Sequence, residues 1–152
     1  MVDVGDKEIT AREAIAGGLI TLSPEAFAAI TEGRIKKGDV LAVAQLAGIA
    51  AAQRTPELVP LCHPMQLTGV KVMLTPEPPD RVRVWARVRC HWRTGVEMEA
   101  LTAATAALLT VYDMVKAIDR WMSIEAVELL EKRGGKSGDL RRPGVERGPD
   151  SA

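Results

Sequence analysis

Residues 94–116 form an Ala- and Leu-rich run whose regular spacing predicts one long helix. Apolar residues recur along it at intervals of three and four, the spacing of one buried helix face: they are Leu101, Ala104, Leu108, Tyr112 and Val115. Thr94 and Glu97 fit a Thr-x-x-Glu capping box, in which each side chain satisfies a backbone donor of the other residue. We therefore predict a helix that begins near Gly95 and packs one face into the core.

A second stripe of this helix carries ionisable groups, Glu99, Asp113 and Lys116. Glu99 and Asp113 are fourteen positions apart, or about 21 Å at the rise of an α-helix. That is too far for both to contact one small reacting group, so the helix implies two sites or one extended substrate. Asp113 and Lys116 are spaced as an ordinary i,i+3 ion pair, or as a carboxylate that orients a catalytic lysine. Spacing alone favours the ion pair.

Local signals predict the other elements. A strand is expected within residues 11–22, and Ser23 and Asp39 are expected to cap two helices, the second over about residues 40–54 and buried on most sides. Residues 66–75 and 81–93 alternate as two strands of a hairpin, and residues 124–130 form a last strand. Together they predict an α+β sandwich, with helices packed on one face of a mainly antiparallel sheet. We expect one domain over residues 1–140 and a disordered tail over residues 141–152.

The predicted strand 81–93 has two contrasting faces. Alternate positions from Val82 to Cys90 are apolar and should face the core. The opposite face carries Arg81, Arg83, Trp85, Arg87, Arg89 and His91. Such a face could bind single-stranded nucleic acid through charge and stacking, or it could be solvated or contact another subunit. Twenty basic and twenty acidic residues balance exactly in number, which favours the second interpretation and no nucleic-acid partner.

The sequence also predicts a cytoplasmic protein with no membrane partner. Its start lacks the pattern of a signal peptide, and no apolar run reaches the length of a membrane span. Cys62 and Cys90 are too few for a disulfide scaffold.

Two Cys-His pairs, Cys62-His63 and Cys90-His91, raise the question of zinc. Neither pair has a recognised ligand spacing, and neighbouring strand residues project in opposite directions, so no metal site is predicted. His63 is followed by Pro64 and flanked by apolar residues, which suggests partial burial. It could act as an acid or base near neutral pH, although a structural role is the better interpretation of a single histidine.

Two basic segments could bind phosphate. Lys36 and Lys37 precede a helix start, where free amides favour an anion, but a solvated charged turn is equally common. Residues 134–137 resemble the end of a phosphate-binding loop, yet Leu130 stands where the first glycine of that motif belongs. This stretch could become ordered on a polyphosphate, or it could be part of a flexible tail.

Several motifs occur together in one order: residues 37–40, 54–64, 94–104, 112–117 and 134–139. In this combination the chain closely resembles the molybdenum-cofactor biosynthesis protein C family (MoaC), the cyclic pyranopterin monophosphate synthases. The resemblance covers residues 1–139. It implies a ferredoxin-like subunit in a homohexamer built as a trimer of dimers, with each active site at a dimer interface. The implied reaction converts 3′,8-cyclo-7,8-dihydro-GTP into cyclic pyranopterin monophosphate and pyrophosphate.

The resemblance also implies roles for individual residues. Asp113 and Lys116 match the catalytic positions, and His63 suits the same acid/base chemistry. The substrate-contacting segments are matched by Leu61, Cys62, His63, Met98 and Glu99, with Glu97 as a further member. Basic positions expected near the triphosphate are Arg12, Lys37, Lys132 and Lys136, whereas Gln53 stands where the family often carries lysine.

The resemblance implies no resident cofactor, and the sequence leaves open whether Mg²⁺ accompanies the triphosphate. The alternative function is a noncatalytic oligomeric protein that binds a nucleotide or single-stranded RNA on the arginine face.

Overall fold

The computed structural model describes residues 1–145 of the chain. Within them, the elements are β1 Thr10–Thr21, α1 Pro24–Thr31, α2 Val40–Gln53, α3 Thr55–Leu58, β2 Leu67–Glu77, β3 Arg81–Trp92, α4 Glu97–Val115, β4 Ser123–Arg133 and β5 Leu140–Arg141. The predicted first strand, the β2–β3 hairpin and the last long strand are confirmed.

The strands form one sheet in the order β2-β3-β1-β4-β5, and every neighbouring pair is antiparallel. Helix α4 packs on β1, β3 and β4, while α2 packs on α4 and β2. This confirms the predicted α+β sandwich of the ferredoxin-like type. The alternation of β3 is confirmed as well, since Val82, Val84, Ala86, Val88 and Cys90 are all buried.

The predicted caps of the first two helices are confirmed. Ser23 Oγ accepts a hydrogen bond from the Ala26 amide at 3.2 Å. Asp39 Oδ1 likewise accepts from the Ala42 amide at 3.1 Å. Both side chains satisfy amides of the first helical turn that have no partner within the helix.

The predicted capping box of α4 is wrong. The helix begins at Glu97, its N-cap is Val96, and no side chain makes a capping hydrogen bond. Val96 is 1% exposed, so burial of this side chain sets where the chain turns from β3 into the helix. Thr94 lies before that point, and Glu97 is left without its predicted capping role.

Two burial predictions also need correction. The buried face of α4 is wider than predicted because this helix contacts both the sheet and α2: it includes Ala100, Ala103, Ala107, Val111 and Met114, whereas Leu101 and Tyr112 are only partly buried. Helix α2 is not buried on most sides, because its buried residues, Val40, Ala44, Gly48 and Ala52, follow one face. Its Leu46 is 66% exposed.

Within the described part of the chain, α4 is also the one helix long and apolar enough to cross a bilayer. Half of the apolar stretch of this helix is buried within the protein, as in the core helix of a soluble fold. Its Glu99 is buried as well. These features are those of an internal helix.

The predicted disordered tail overlaps the described residues at 141–145. Arg141 pairs with Glu131 at the sheet edge, and the Arg142 amide donates to the Leu130 carbonyl at 2.8 Å. Residues 146–152 lie outside the described residues.

Candidate active site

Asp113 lies between two lysine side chains at the C-terminal end of α4. Lys37 Nζ is 2.7 Å from Asp113 Oδ2, and Lys116 Nζ is 2.9 Å from Oδ1. The hydrogen bond from Lys37, and then that from Lys116, lower the pKa of Asp113 from 3.8 to about 2. Asp113 in turn raises the pKa of Lys116. We call Lys37, Asp113 and Lys116 the Asp113 cluster: an ionised carboxylate holding two ammonium donors.

Lys37 belongs to this cluster through tertiary structure. It lies in the loop before α2, and its Nζ also donates to the Asp113 carbonyl at 3.0 Å. Carbonyls in the last turn of a helix lack intrahelical partners and favour a cation. Lys37 was expected beside the triphosphate with Arg12, Lys132 and Lys136, but within one chain it lies beside Asp113 instead.

Glu99 lies at the opposite end of α4 and is only 2% exposed. The Cys62 thiol donates to its Oε1 at 3.5 Å, and Oε2 is buried without a hydrogen-bond partner among the described residues. Burial raises the pKa of Glu99. The Cys62 pKa is raised to about 11, mainly by burial and then by Glu99. Cys62 is thus a thiol donor to Glu99, and burial shifts the protonation equilibrium of Glu99 toward the neutral carboxyl.

His63 is partly buried, as predicted. Its Nε2 is 2.8 Å from the Val2 carbonyl oxygen. Leu61 and Met98, the two apolar members of the expected substrate segments, are 70% and 40% exposed. Leu61, Cys62 and His63 are consecutive, and the Cys62 contact joins this segment to the first turn of α4.

A cavity of about 900 Å³ opens beside the start of α4. Its basic lining residues are Lys7, Arg12, Arg93, Lys132 and Lys136. Glu97 lines it too, together with Asp6 and Glu8. We call it the cationic cavity. It brings together three of the four predicted basic residues, leaving out Lys37.

Contacts of two basic side chains, Arg12 and Lys132, fix two connections that line the cationic cavity. Arg12 donates to the Trp92 carbonyl at 3.4 Å and to the Arg93 carbonyl at 3.3 Å, which holds the end of β3. Lys132 Nζ donates to Ser137 Oγ at 2.6 Å across the glycine-rich turn. Gly135 has φ +83°, and a Cβ there would lie 1.6 Å from Arg12 Nη1. The positive φ therefore favours glycine at this position, and the stretch that could have been a flexible tail is a folded wall of the cavity.

Sequence reasoning missed Arg93 and Lys7 as members of this site. Arg93 was expected at the end of the predicted strand 81–93, but β3 ends at Trp92 and the alternation of faces ends with it. Its position in the connection between β3 and α4 was the available signal. Lys7 precedes the first strand and carried no signal.

The Asp113 cluster and the Glu99 region do not meet within one chain. Fourteen positions of α4 separate the two carboxylates, a helical rise of about 21 Å. The expected site residues thus form two groups, one at each end of α4.

Other candidate chemistry has little support in the described residues. No group of three His, Cys, Asp or Glu residues within 1–145 is arranged to hold a metal ion. Cys90 is buried with its thiol 3.8 Å from Met65 Sδ, whereas His91 is exposed. On the arginine face, Arg83 pairs with Glu77 and Arg89 with Glu13, so acidic neighbours offset part of its charge.

Comparison with known protein sequences identifies the family of this chain. The sequence model of the MoaC family matches residues 1–135. The chain belongs to the MoaC family. It is 56% identical over 144 residues to a protein of Chloroflexus aurantiacus named cyclic pyranopterin monophosphate synthase, covering 94% of this chain and 88% of that protein. Proteins with the same name from Pelotomaculum thermopropionicum and Chloroflexus aggregans are 55% and 54% identical. Those matches cover 96% and 93% of this chain, and 86% and 87% of the relatives.

Proposed function

We propose that this chain is a cyclic pyranopterin monophosphate synthase, which converts 3′,8-cyclo-7,8-dihydro-GTP into cyclic pyranopterin monophosphate and pyrophosphate. Its relatives carry the name of this activity. The observation that carries the proposal is the Asp113 carboxylate bound by both Lys37 and Lys116. Rearranging a purine-derived ring requires several proton transfers. Two charged lysines that share one carboxylate supply positioned proton donors.

The Glu99 region suits the heterocyclic part of that substrate. The Glu99 carboxyl can accept hydrogen bonds from N–H groups of a purine-derived ring, and in its protonated form it can also donate one. Its Oε2 has no hydrogen-bond partner among the described residues, although this atom is buried in the single chain. Exposed Leu61 and Met98 offer apolar surface to the ring faces.

The cationic cavity suits the triphosphate. Departure of pyrophosphate concentrates negative charge, and cations held in advance at that position lower the barrier. Arg12, Lys132 and Lys136 are proposed for this role. We propose that no resident cofactor takes part, and initial rates after chelation, with and without added Mg²⁺, test whether the triphosphate needs the metal.

We further propose that the active site is shared between subunits of a homohexamer, a trimer of dimers. A second chain could bring its Asp113 cluster to the Glu99 region of the first, which one helix cannot do. Exposed apolar side chains near the Asp113 end support a subunit contact there, since Trp121 is 92% exposed and Leu109 54%. The proposed compartment is the cytoplasm, where Cys62 and Cys90 stay reduced.

Activity is tested directly with the purified protein and the cyclised dihydro-GTP. We expect pyrophosphate release and a product that oxidises to a fluorescent pterin. Asp113→Asn and Lys116→Ala should abolish turnover while retaining most substrate binding, because proton transfer matters most in the transition state. Glu125→Gln, an exposed carboxylate of β4, is the matched control. An inactive wild-type protein, assayed beside an active relative, would refute the proposed activity.

Sharing of the site is tested by mixing. Glu99→Ala and Asp113→Ala proteins should each be inactive, and subunit exchange between them should restore part of the activity, because some mixed sites contain both native residues. Exchange is verified with differently tagged chains. Mixed oligomers that form but stay inactive would exclude a shared site.

A further inference from the structure

Residues 1–8 lie against both the His63 segment and the cationic cavity, and we call them the strap. At one end the Val2 carbonyl meets His63 Nε2 at 2.8 Å. At the other end Arg93 Nη1 donates to the Lys7 carbonyl at 2.8 Å and also to the Gly5 carbonyl. Asp6, Lys7 and Glu8 form part of the cavity wall. The strap thus connects His63, the expected proton-transfer residue, with Arg93, for which the sequence predicted no role.

The contact with Val2 determines which nitrogen of His63 carries the proton. A carbonyl oxygen can only accept a hydrogen bond, so Nε2 must be the donor. A neutral imidazole then has Nδ1 unprotonated, and this atom becomes the proton acceptor. The Val2 carbonyl therefore orients the ring and selects its tautomer at once.

Polar contacts hold the strap in place. All of its residues are exposed except Val4, which is partly buried, so apolar burial contributes little. Asp3 Oδ1 accepts from the Gly5 amide at 2.8 Å, and the Lys7 amide donates to the Val4 carbonyl at 3.1 Å. These two bonds form the turn that presents the carbonyls of Gly5 and Lys7 to Arg93.

Arg93 is itself well anchored for this task. Its backbone carbonyl accepts from Arg12 Nη2 at 3.3 Å, which ties the end of β3 to β1. A guanidinium with several fixed donors can hold two carbonyls at once. The chain of contacts runs from Arg12 to Arg93, then through the strap to His63.

We propose that Arg93 and the strap position His63, holding it as the Nε2–H tautomer so that Nδ1 accepts a proton during the reaction. This inference rests on the proposed function, in which His63 transfers protons. Arg93 is a positioning residue that acts through the Val2 carbonyl. The competing role for Arg93 is that of a phosphate ligand, since it also lines the cationic cavity.

Steady-state kinetics separates these two roles. Arg93→Met and Asp3→Ala should each lower kcat about tenfold or more, because a misplaced catalytic group loses rate. KM should change by less than about twofold, since substrate contacts are kept. Arg93→Lys, which keeps the charge but not the fixed fork of donors, should recover only part of kcat. Arg81→Met removes an arginine at the far end of β3 and should behave as wild type.

The double variant gives a sharper test. Arg93→Met and Asp3→Ala disturb one path, so their combined loss should be smaller than the product of the two single losses. Multiplicative losses would show that Arg93 and Asp3 act independently and would overturn the proposal. A raised KM with unchanged kcat in Arg93→Met would overturn it too, because it would assign Arg93 to phosphate binding.

The tautomer of His63 provides a readout that needs no substrate. The chain has two histidines, so ¹⁵N-labelled His91→Gln protein reports on His63 alone. We expect a protonated-type Nε2 signal and an unprotonated-type Nδ1 signal, and both should shift toward the average of two exchanging tautomers after Arg93→Met or Asp3→Ala. Unchanged signals in both variants would refute the positioning role. This result is independent of turnover, so a failure of the proposed activity is recognised separately.

Discussion

Replacing Gly135 by alanine tests how the cationic cavity is built. Gly135 has φ +83°, and an added Cβ would lie 1.6 Å from Arg12 Nη1 and 2.7 Å from Cζ. Arg12 would have to move, although its guanidinium holds the carbonyls of Trp92 and Arg93. The substitution should therefore damage both stability and the proposed triphosphate site.

Gly138→Ala is the matched control, because Gly138 has φ +66° but nothing within 4 Å of an added Cβ. Both variants place alanine in the left-handed region, at a cost of about 1–2 kcal/mol. Gly135→Ala should additionally disrupt the two Arg12 hydrogen bonds, because the guanidinium must move away from the added Cβ. Their distances of 3.3 and 3.4 Å are long, so we expect an additional loss at the low end of the usual range, about 1 kcal/mol.

Urea unfolding at one fixed protein concentration measures this difference, and initial rates measure KM. We expect Gly135→Ala to be less stable than Gly138→Ala by at least about 1 kcal/mol, with a raised KM in Gly135→Ala only. Equal stabilities together with equal KM values would show that Arg12 can relocate freely. In that case Arg12 would not be an anchored part of the site.

Other predictions test the two ends of α4 and its core. Lys37→Met should raise the pKa of Asp113 from about 2 toward 3.8 in a carboxyl ¹³C NMR titration and lower kcat by about 10²-fold or more; the neighbouring Lys36→Met should do neither. Burial raises the pKa of Glu99, so the folded state binds its proton more tightly than the unfolded chain and loses stability as pH rises above about 4. In urea unfolding, Glu99→Gln should therefore gain stability relative to wild type as the pH rises above about 4, and a constant difference would contradict this cause. Leu108 is fully buried, so Leu108→Ala should cost about 3–5 kcal/mol, and a loss below about 1 kcal/mol would show that the core collapses around it.

The elements that were predictable from the sequence depend on interactions between near neighbours. Ser23 and Asp39 cap helices through bonds to amides three residues ahead, and the faces of β3 follow from strand geometry alone. The same reasoning failed for α4, where the motif of Thr94 and Glu97 was present. Burial of Val96 there outweighed a surface hydrogen bond, and burial depends on the rest of the fold.

In the candidate site, too, local motifs were predictable from the sequence and long-range contacts were not. Sequence motifs led to the MoaC family and to most of the site residues, while the spacing of Glu99 and Asp113 already excluded one small site along a single helix. Sequence motifs could not place Lys37 beside Asp113, which is 76 positions away. Nor could they place Arg93 on the Lys7 carbonyl of the strap, which is 86 positions away.

The sequence by itself thus determined the long strands, the first two helices, the type of sheet and the family, because periodicity, turn residues and motifs act over a few positions. Only the tertiary structure decided which cations neutralise which carboxylate, and which backbone carbonyl holds His63. Those pairings depend on how α4 lies against the sheet and α2. That geometry is set by burial of the Ala-rich face of α4 against distant parts of the chain.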